Sequence, residues 1–151
     1  MKDLCPPTRQ RPLLIEFQQS LDASRKVGGH PTLRRDNCGD WAIWGRLGHI
    51  YAVPIKAAAI GCGFQLVIGT NNSPRRWTGV KRRLAFCQLS QDGDDEGTMI
   101  LNRLPTEPEA ELIREALDIR KAPNLTEEHR SALAERGRKW GFQKPTDESQ
   151  T

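Results

Sequence analysis

Apolar positions along the chain fall into blocks with distinct periods. Between residues 10 and 25, Leu13, Leu14, Phe17 and Leu21 recur at the spacing of one helical face, while Glu16, Gln18, Gln19 and Asp22 fall elsewhere. This predicts an amphipathic helix with Pro12 in its first turn. Val27-Gly28-Gly29-His30-Pro31 should stop it. The pattern then shifts to a period of two. Trp41 to Trp44 and Ile50 to Val53 flank a turn at Gly45–Gly48, as in a hairpin of two strands. Trp41 and Ile43 share one face and Ala42 and Trp44 the other, so both faces are partly apolar. Each is expected to be covered, one of them by a helix.

Residues 55–63, small and Ala-rich, read as a short helical turn or a loop, and residues 64–68 as a third strand ended by Gly69-Thr70-Asn71-Asn72. Ser73 and Pro74 supply a capping side chain and a first-turn proline for a helix over 74–84. Residues 85–89 and 98–102 form a second predicted hairpin around the acidic connection 91–97. Thr106 and Glu109 have capping-box spacing, and Leu112, Ile113, Ala116 and Leu117 extend a helix to about residue 119. A last, mostly polar helix follows from Asn124-Leu125-Thr126 to about residue 139, with Leu133 and Trp140 as anchors. The fold class is therefore α+β: an antiparallel sheet of about five strands with an N-terminal helix, a basic helix between strands, and two C-terminal helices. Residues 1–9 read as an extended lead-in, 10–143 as a single domain and 144–151 as a disordered tail.

Composition adds a compartment and a charge pattern. The 151 residues are 36% hydrophobic, enough for one core. The start, Met1 to Pro7, lacks the apolar core of a signal peptide, and no run approaches the ~20 apolar residues of a membrane span. A cytoplasmic protein without a membrane partner is expected, with Cys5, Cys38, Cys62 and Cys87 as reduced thiols. Residues 1–84 carry 14 Lys and Arg against 5 Asp and Glu, whereas residues 85–151 carry 9 against 14. A basic first half and an acidic second half suit docking on charged partners, unless the two interleave in space.

Candidate chemistry centres on the helix over 74–84. Trp77, Val80 and Leu84 point one way and Arg75, Arg76, Arg82 and Arg83 the other, so guanidinium groups are placed to meet phosphates. Arg34, Arg35 and Arg46 extend the basic set, and Trp44 and Tyr51 are candidate stacking groups for nucleic-acid bases. In the acidic hairpin, Asp92, Asp94, Asp95 and Glu96 are candidate contacts for a protein partner. The run starts like a calcium loop, but its twelfth position is Arg103 where a bidentate Glu is needed. His30 with Cys38, and His49 with Cys62, lack zinc-site spacing, so no metal and no cofactor is expected. Cys38 and His49 with Asp40 are the only reactive set that suggests an enzyme, and the balance is against one.

The strings Gly39-Asp40-Trp41-Ala42-Ile43-Trp44-Gly45 through Gly48-His49-Ile50-Tyr51-Ala52, Ser90-Gln91-Asp92-Gly93-Asp94-Asp95-Glu96-Gly97 and Arg103-Leu104-Pro105-Thr106 resemble those of small uncharacterised bacterial proteins of chromosomes and mobile elements. The resemblance covers roughly residues 30–120, implies an accessory protein, and carries no catalytic residues. The reading that results is a small non-enzymatic nucleic-acid-binding accessory protein. The alternatives are a protein-interaction module encoded by a mobile element, acting as inhibitor or adaptor, and a small Cys/His enzyme.

Overall fold

In the computed structural model, which describes residues 5–55, 61–123 and 126–139, the first helix is α1 (Pro7–Ser20). It starts earlier than its apolar pattern suggests because Pro7 stands in its first turn, where a missing N–H costs nothing. Residues 7–9 are thus helical and not part of an extended lead-in. Pro12 consequently sits beyond the first turn; it and Thr8, whose carbonyl loses a partner, are both exposed to water. The helix stops at Ser20, not near Arg25, as Asp22 takes a left-handed φ of 50°.

The segment expected only to end that helix forms a small hairpin, β1 (Lys26–Val27) and β2 (His30–Pro31), turning on Gly28 and Gly29 at φ 56° and 81°. After it come β3 (Leu33–Arg35), β4 (Trp41–Trp44), β5 (Gly48–Pro54), β6 (Cys62–Gly69) and α2 (Pro74–Arg83). The chain continues through β7 (Gln88–Asp92), β8 (Glu96–Leu101), α3 (Glu107–Leu117) and α4 (Glu127–Lys139). The main sheet has six strands in the order β3-β4-β5-β6-β8-β7, every pair antiparallel. The strand missed in the sequence is β3, too short to show a period. Residues 85–87 are not strand; Cys87 N–H donates to the Leu84 carbonyl at 2.9 Å and closes α2. Of the acidic connection, Asp92 and Glu96 belong to strands, and Gly93-Asp94-Asp95 make the turn.

Register decides which side chains share a face. Leu33, Ile43, Ile50, Leu66 and Met99 form one continuous row across the sheet, beside a second row of Ala52, Phe64 and Leu101. All but the partly buried Leu33 are nearly inaccessible. Burying each Ile, Leu or Phe contributes about 1.5–3 kcal/mol, and a one-residue slip would turn the whole row to water, so this register is strongly fixed. Helices α1, α2 and α3 all pack on this face. Phe17 of α1 meets Phe64 with ring centroids 4.3 Å apart. Trp77 of α2 crosses Gly97, and Leu117 of α3 lies over Gly48.

Two short polar clusters hold the helices to the strands. Trp77 Nε1 donates to Asp92 Oδ1 at 2.8 Å and Lys81 Nζ to the same oxygen at 2.9 Å, tying α2 to β7. These donors, Lys81 first, hold the Asp92 carboxyl below its ordinary range. The capping box of Thr106 and Glu109 forms as read, and Arg103 adds two bonds to Glu109 at 2.7 and 2.9 Å. Arg103 and then the Thr106 backbone lower the Glu109 pKa to about 2.

No described helix packs on the opposite face. Arg34, His49, Gln65 and Gln91 interrupt its apolar residues, while Ala42 and Thr98 are buried on it. Helix α4 is exposed over residues 127–136, and Leu133, expected as an anchor, is 48% exposed. Trp140, residues 56–60 and the tail 144–151 lie outside the described residues.

Helix–sheet spacing at β8 gives a stability test with two signs. A Cβ on Gly97 would stand 2.2 Å from the Trp77 ring and 2.4 Å from the Gln91 carbonyl oxygen, whereas one on Gly79 of α2 meets nothing closer than 3.6 Å. Gly97→Ala should lower stability in urea unfolding by about 1–3 kcal/mol, and Gly79→Ala should raise it by about 0.5–1 kcal/mol.

Candidate nucleic-acid interface

The alternation in β4 and β5 that buries Ile43 and Ile50 turns Trp44, His49 and Tyr51 onto the open face. The tight turn between the strands sets their register, pairing Trp44 with His49 and Ala42 with Tyr51. The rings form one row: Trp44 and His49 have centroids 4.9 Å apart, and His49 and Tyr51 meet edge-on at 4.8 Å. All three are half-buried. Arg34 of β3, also on this face, lays its guanidinium 4.8 Å above the Trp44 ring while donating to the Pro31 carbonyl at 2.9 Å. The result is a cationic lid on an aromatic strip.

The far end of the strip is pinned by the β3–β4 turn. Asp36 Oδ1 accepts the backbone N–H groups of Cys38 and Asp40, each at 2.9 Å, and Oδ2 accepts the Tyr51 hydroxyl at 2.7 Å. The hydroxyl, foremost, keeps the Asp36 carboxyl below its usual range. Burial and the bond to Asp36 push the Tyr51 phenol upward, so it remains a protonated donor. Burial pulls His49 below 6.5, with the Asp36 charge acting in the opposite sense. At neutral pH the strip is therefore three uncharged rings edged by Arg34.

A cleft of about 680 Å³ continues the strip toward the strand ends, between the β4–β5 turn and the β7–β8 hairpin. Arg46 stands on one rim and Glu96 on the other, with Trp44 and His49 among the lining residues.

The sequence-predicted residues thus divide. Arg34, Trp44 and Tyr51 come together, and Arg46 borders the cleft that begins at Trp44. Arg35 turns to the core face, where it and Arg11 both lie 5.1 Å from the Trp41 ring. Arg75, Arg76 and Arg82 are exposed on α2, and Trp77 and Val80 face inward as read. That helix packs on the core face, and Arg76 and Arg83 line a second cavity with Leu47 and Asn71, two residues that also border the cleft at the strand ends. Arg83 lies 3.6 Å from Glu115, an exposed pair of small energetic weight. Of the acidic hairpin, Asp92 is engaged by Trp77 and Lys81, Asp94 is exposed at the turn, and the Asp95 backbone carbonyl accepts from Thr70. The charged halves interleave at α2, where Lys81–Asp92 and Arg83–Glu115 each join one to the other.

Cys38 is exposed in the turn beside Tyr51, whereas His49 packs between Trp44 and Tyr51; the carboxylate at hand is Asp36, and it serves Tyr51. Cys5, Cys62 and Cys87 are buried and form no disulfide. Among the described residues no cluster of three or more His, Cys, Asp or Glu side chains could hold a metal, and no helix is long and apolar enough to cross a membrane. Sequence reasoning missed Asp36 as the clamp of the strip, whereas the alternation about the Gly45–Gly48 turn already carries the pairing of His49 with Trp44.

The depressed His49 pKa has a definite sign. A folded-state value below the unfolded one favours folding above about 6.5, and this contribution is lost as pH falls through the folded pKa. NMR titration of ring-labelled histidine should show His49 with a midpoint below 6.5, and Asp36→Asn, which removes the charge that raises it, should move that midpoint lower still. A midpoint at or above 6.5 would contradict the buried strip. No protein-family model, curated protein or solved structure matches this chain.

Proposed function

We propose that the chain is a non-enzymatic binder of single-stranded nucleic acid that uses the open sheet face, with Trp44, His49 and Tyr51 as the stacking strip and Arg34 and Arg46 as phosphate contacts. The observation that carries this is the unbroken row of three rings on a sheet face that no described helix covers, under a guanidinium. Unpaired bases stack on such rings, whereas bases in a duplex are already stacked on each other. Arg75, Arg76 and Arg82 offer a second basic surface on α2, suited to phosphates further along a strand. An accessory role on a chromosome or mobile element is in keeping with a small protein that holds single strands. Docking of a protein partner on the acidic hairpin has less support, because the Asp92 carboxylate is already engaged within the fold.

Fluorescence anisotropy with labelled single-stranded and duplex DNA and RNA tests this. Single strands should bind more tightly than duplex, and Trp44→Ala should weaken binding by roughly 5- to 150-fold, the loss of one stacked base. Affinity should fall steeply as salt rises from about 50 to 200 mM. If Trp44→Ala is silent while replacing Arg75, Arg76 and Arg82 together by Ala abolishes binding, the helix and not the sheet is the interface. No binding at low salt ends the proposal.

A further inference from the structure

The cleft beside the aromatic strip has a more selective chemistry than the strip itself. Its floor continues the row Trp44, His49, Val67 and Thr98, which register places side by side on the open face. Five glycines are among its lining residues, and Gly69, on the open face beside Val67, brings no side chain into it. A flat ligand can therefore approach the main chain closely. Two charged groups with no hydrogen-bond or ion-pair partner among the described residues stand on opposite rims, Arg46 on the β4–β5 turn and Glu96 at the start of β8. Asp92 also borders the cleft, but its carboxylate is held by Trp77 and Lys81 on the core side.

The position of Glu96 is informative. It is paired with Gly69 and lies on the same face as Val67 and Thr98, one step diagonal to Val67. Gly69 offers no side chain, so the carboxylate borders open space. Diagonal neighbours on an antiparallel pair are roughly 7–8 Å apart, which a glutamate side chain and the edge of a base together bridge. A base lying over Val67 against the His49 ring would present its Watson–Crick edge to this carboxylate.

We infer that the cleft is a guanine-selective subsite, in which Glu96 accepts from the guanine N1–H and N2–H groups, His49 and Trp44 stack on the ring, and Arg46 meets a flanking phosphate. This rests on the single-strand reading above and names the base preferred at that site. Guanine is singled out by its hydrogen-bonding edge. It alone among the common bases places two donors side by side, matching the two oxygens of a carboxylate. Adenine and cytosine each set a single amino group beside a ring-nitrogen acceptor, and uracil or thymine flanks its one N–H with two carbonyl oxygens. Each of these would bring an acceptor against the carboxylate. The volume, about 680 Å³, is in the range of small-ligand sites and has room for one nucleotide.

The experiment uses the full chain and labelled oligothymidylates whose central base is thymine, guanine, hypoxanthine, adenine or cytosine. Guanine should bind tightest, about tenfold over adenine, the discrimination of one bidentate pair. Hypoxanthine, which keeps N1–H and lacks the amino group, should fall between them. Glu96→Gln should bring the guanine-to-adenine ratio close to one, with circular dichroism confirming that the variant is folded. Equal affinity for the central bases, or a guanine preference that survives Glu96→Gln, overturns the subsite while leaving single-strand binding in place. Quenching of tryptophan fluorescence by guanosine monophosphate and by adenosine monophosphate separates the two proposals from the other side. Selective quenching by the guanine nucleotide without oligomer binding keeps the subsite and removes the single-strand role. No response to either nucleotide or to any oligomer overturns both.

Discussion

The apolar row Leu33, Ile43, Ile50, Leu66 and Met99 runs across the main sheet, and α1, α2 and α3 all close over the face that carries it. Since side chains alternate along each strand, one-sided burial assigns the second set of positions to solvent without further instruction. Phe17 and Trp77 need close approach to the strands, and Gly97 supplies it under α2. The open face is thus a consequence of where the core is. Each ring in the strip is placed by the buried residue next to it in sequence: Trp44 by Ile43, His49 and Tyr51 by Ile50.

The ends of the open face are held by carboxylates that serve structure. Asp36 gathers two backbone amides and the Tyr51 hydroxyl at one end, and Asp92 gathers Trp77 and Lys81 on the core side of the other. Both acids are engaged by hydrogen-bond donors at short range, so their oxygens are committed within the fold; Asp92 is also paired with the Lys81 charge, whereas Asp36 keeps its charge beside the strip. Glu96 differs in having no such donor among the described residues, although it lies within the same acidic run. Sorting acids by partner and not by position in the chain therefore separates scaffold from site. The same sorting dissolves the division between a basic and an acidic half, because Lys81 and Arg83 find their acids in the second half.

The sequence showed those elements whose local signals were strong: α2 with its Ser73 cap, α3 with its capping box, and the β4–β5 hairpin with alternation on both arms. It hid the elements whose determinants are tertiary. β3 has only Leu33 to mark it and exists because β4 offers an edge. β7 was read as residues 85–89 but runs Gln88–Asp92, because it is exposed throughout and its bounds are set by pairing with β8, through a bulge between Leu89 and Gln91. The start of α1 was set by a proline, which reads as a breaker unless its place in the first turn is known. For the site, Trp44 and Tyr51 were visible as residue types, but the separation of α2 from them was not. Whether a helix packs on one face of a sheet or the other depends on the crossover from β6 to β7, and no single residue encodes that.

The sheet strip and the basic helix differ in how they would hold an anion. Exposed arginines on α2 act through water, where a charge is screened beyond about 8 Å at physiological salt and each side chain loses rotamer freedom on binding. The rings of the strip are already ordered by contacts with one another, by the Asp36 clamp and by Arg34, so little further ordering is required when a base stacks. Leaving three aromatic groups half-buried on a face that no described helix covers forgoes part of the stabilisation that full burial would bring, of the order of 1.5–3 kcal/mol for a large apolar side chain. A purely structural face would gain by recruiting cover, and α4, exposed over residues 127–136, is not used for it. The preorganised rings, the neutral His49 and the guanidinium groups of Arg34 and Arg46 together make a surface whose stored apolar area becomes useful only when a flat partner is laid on it.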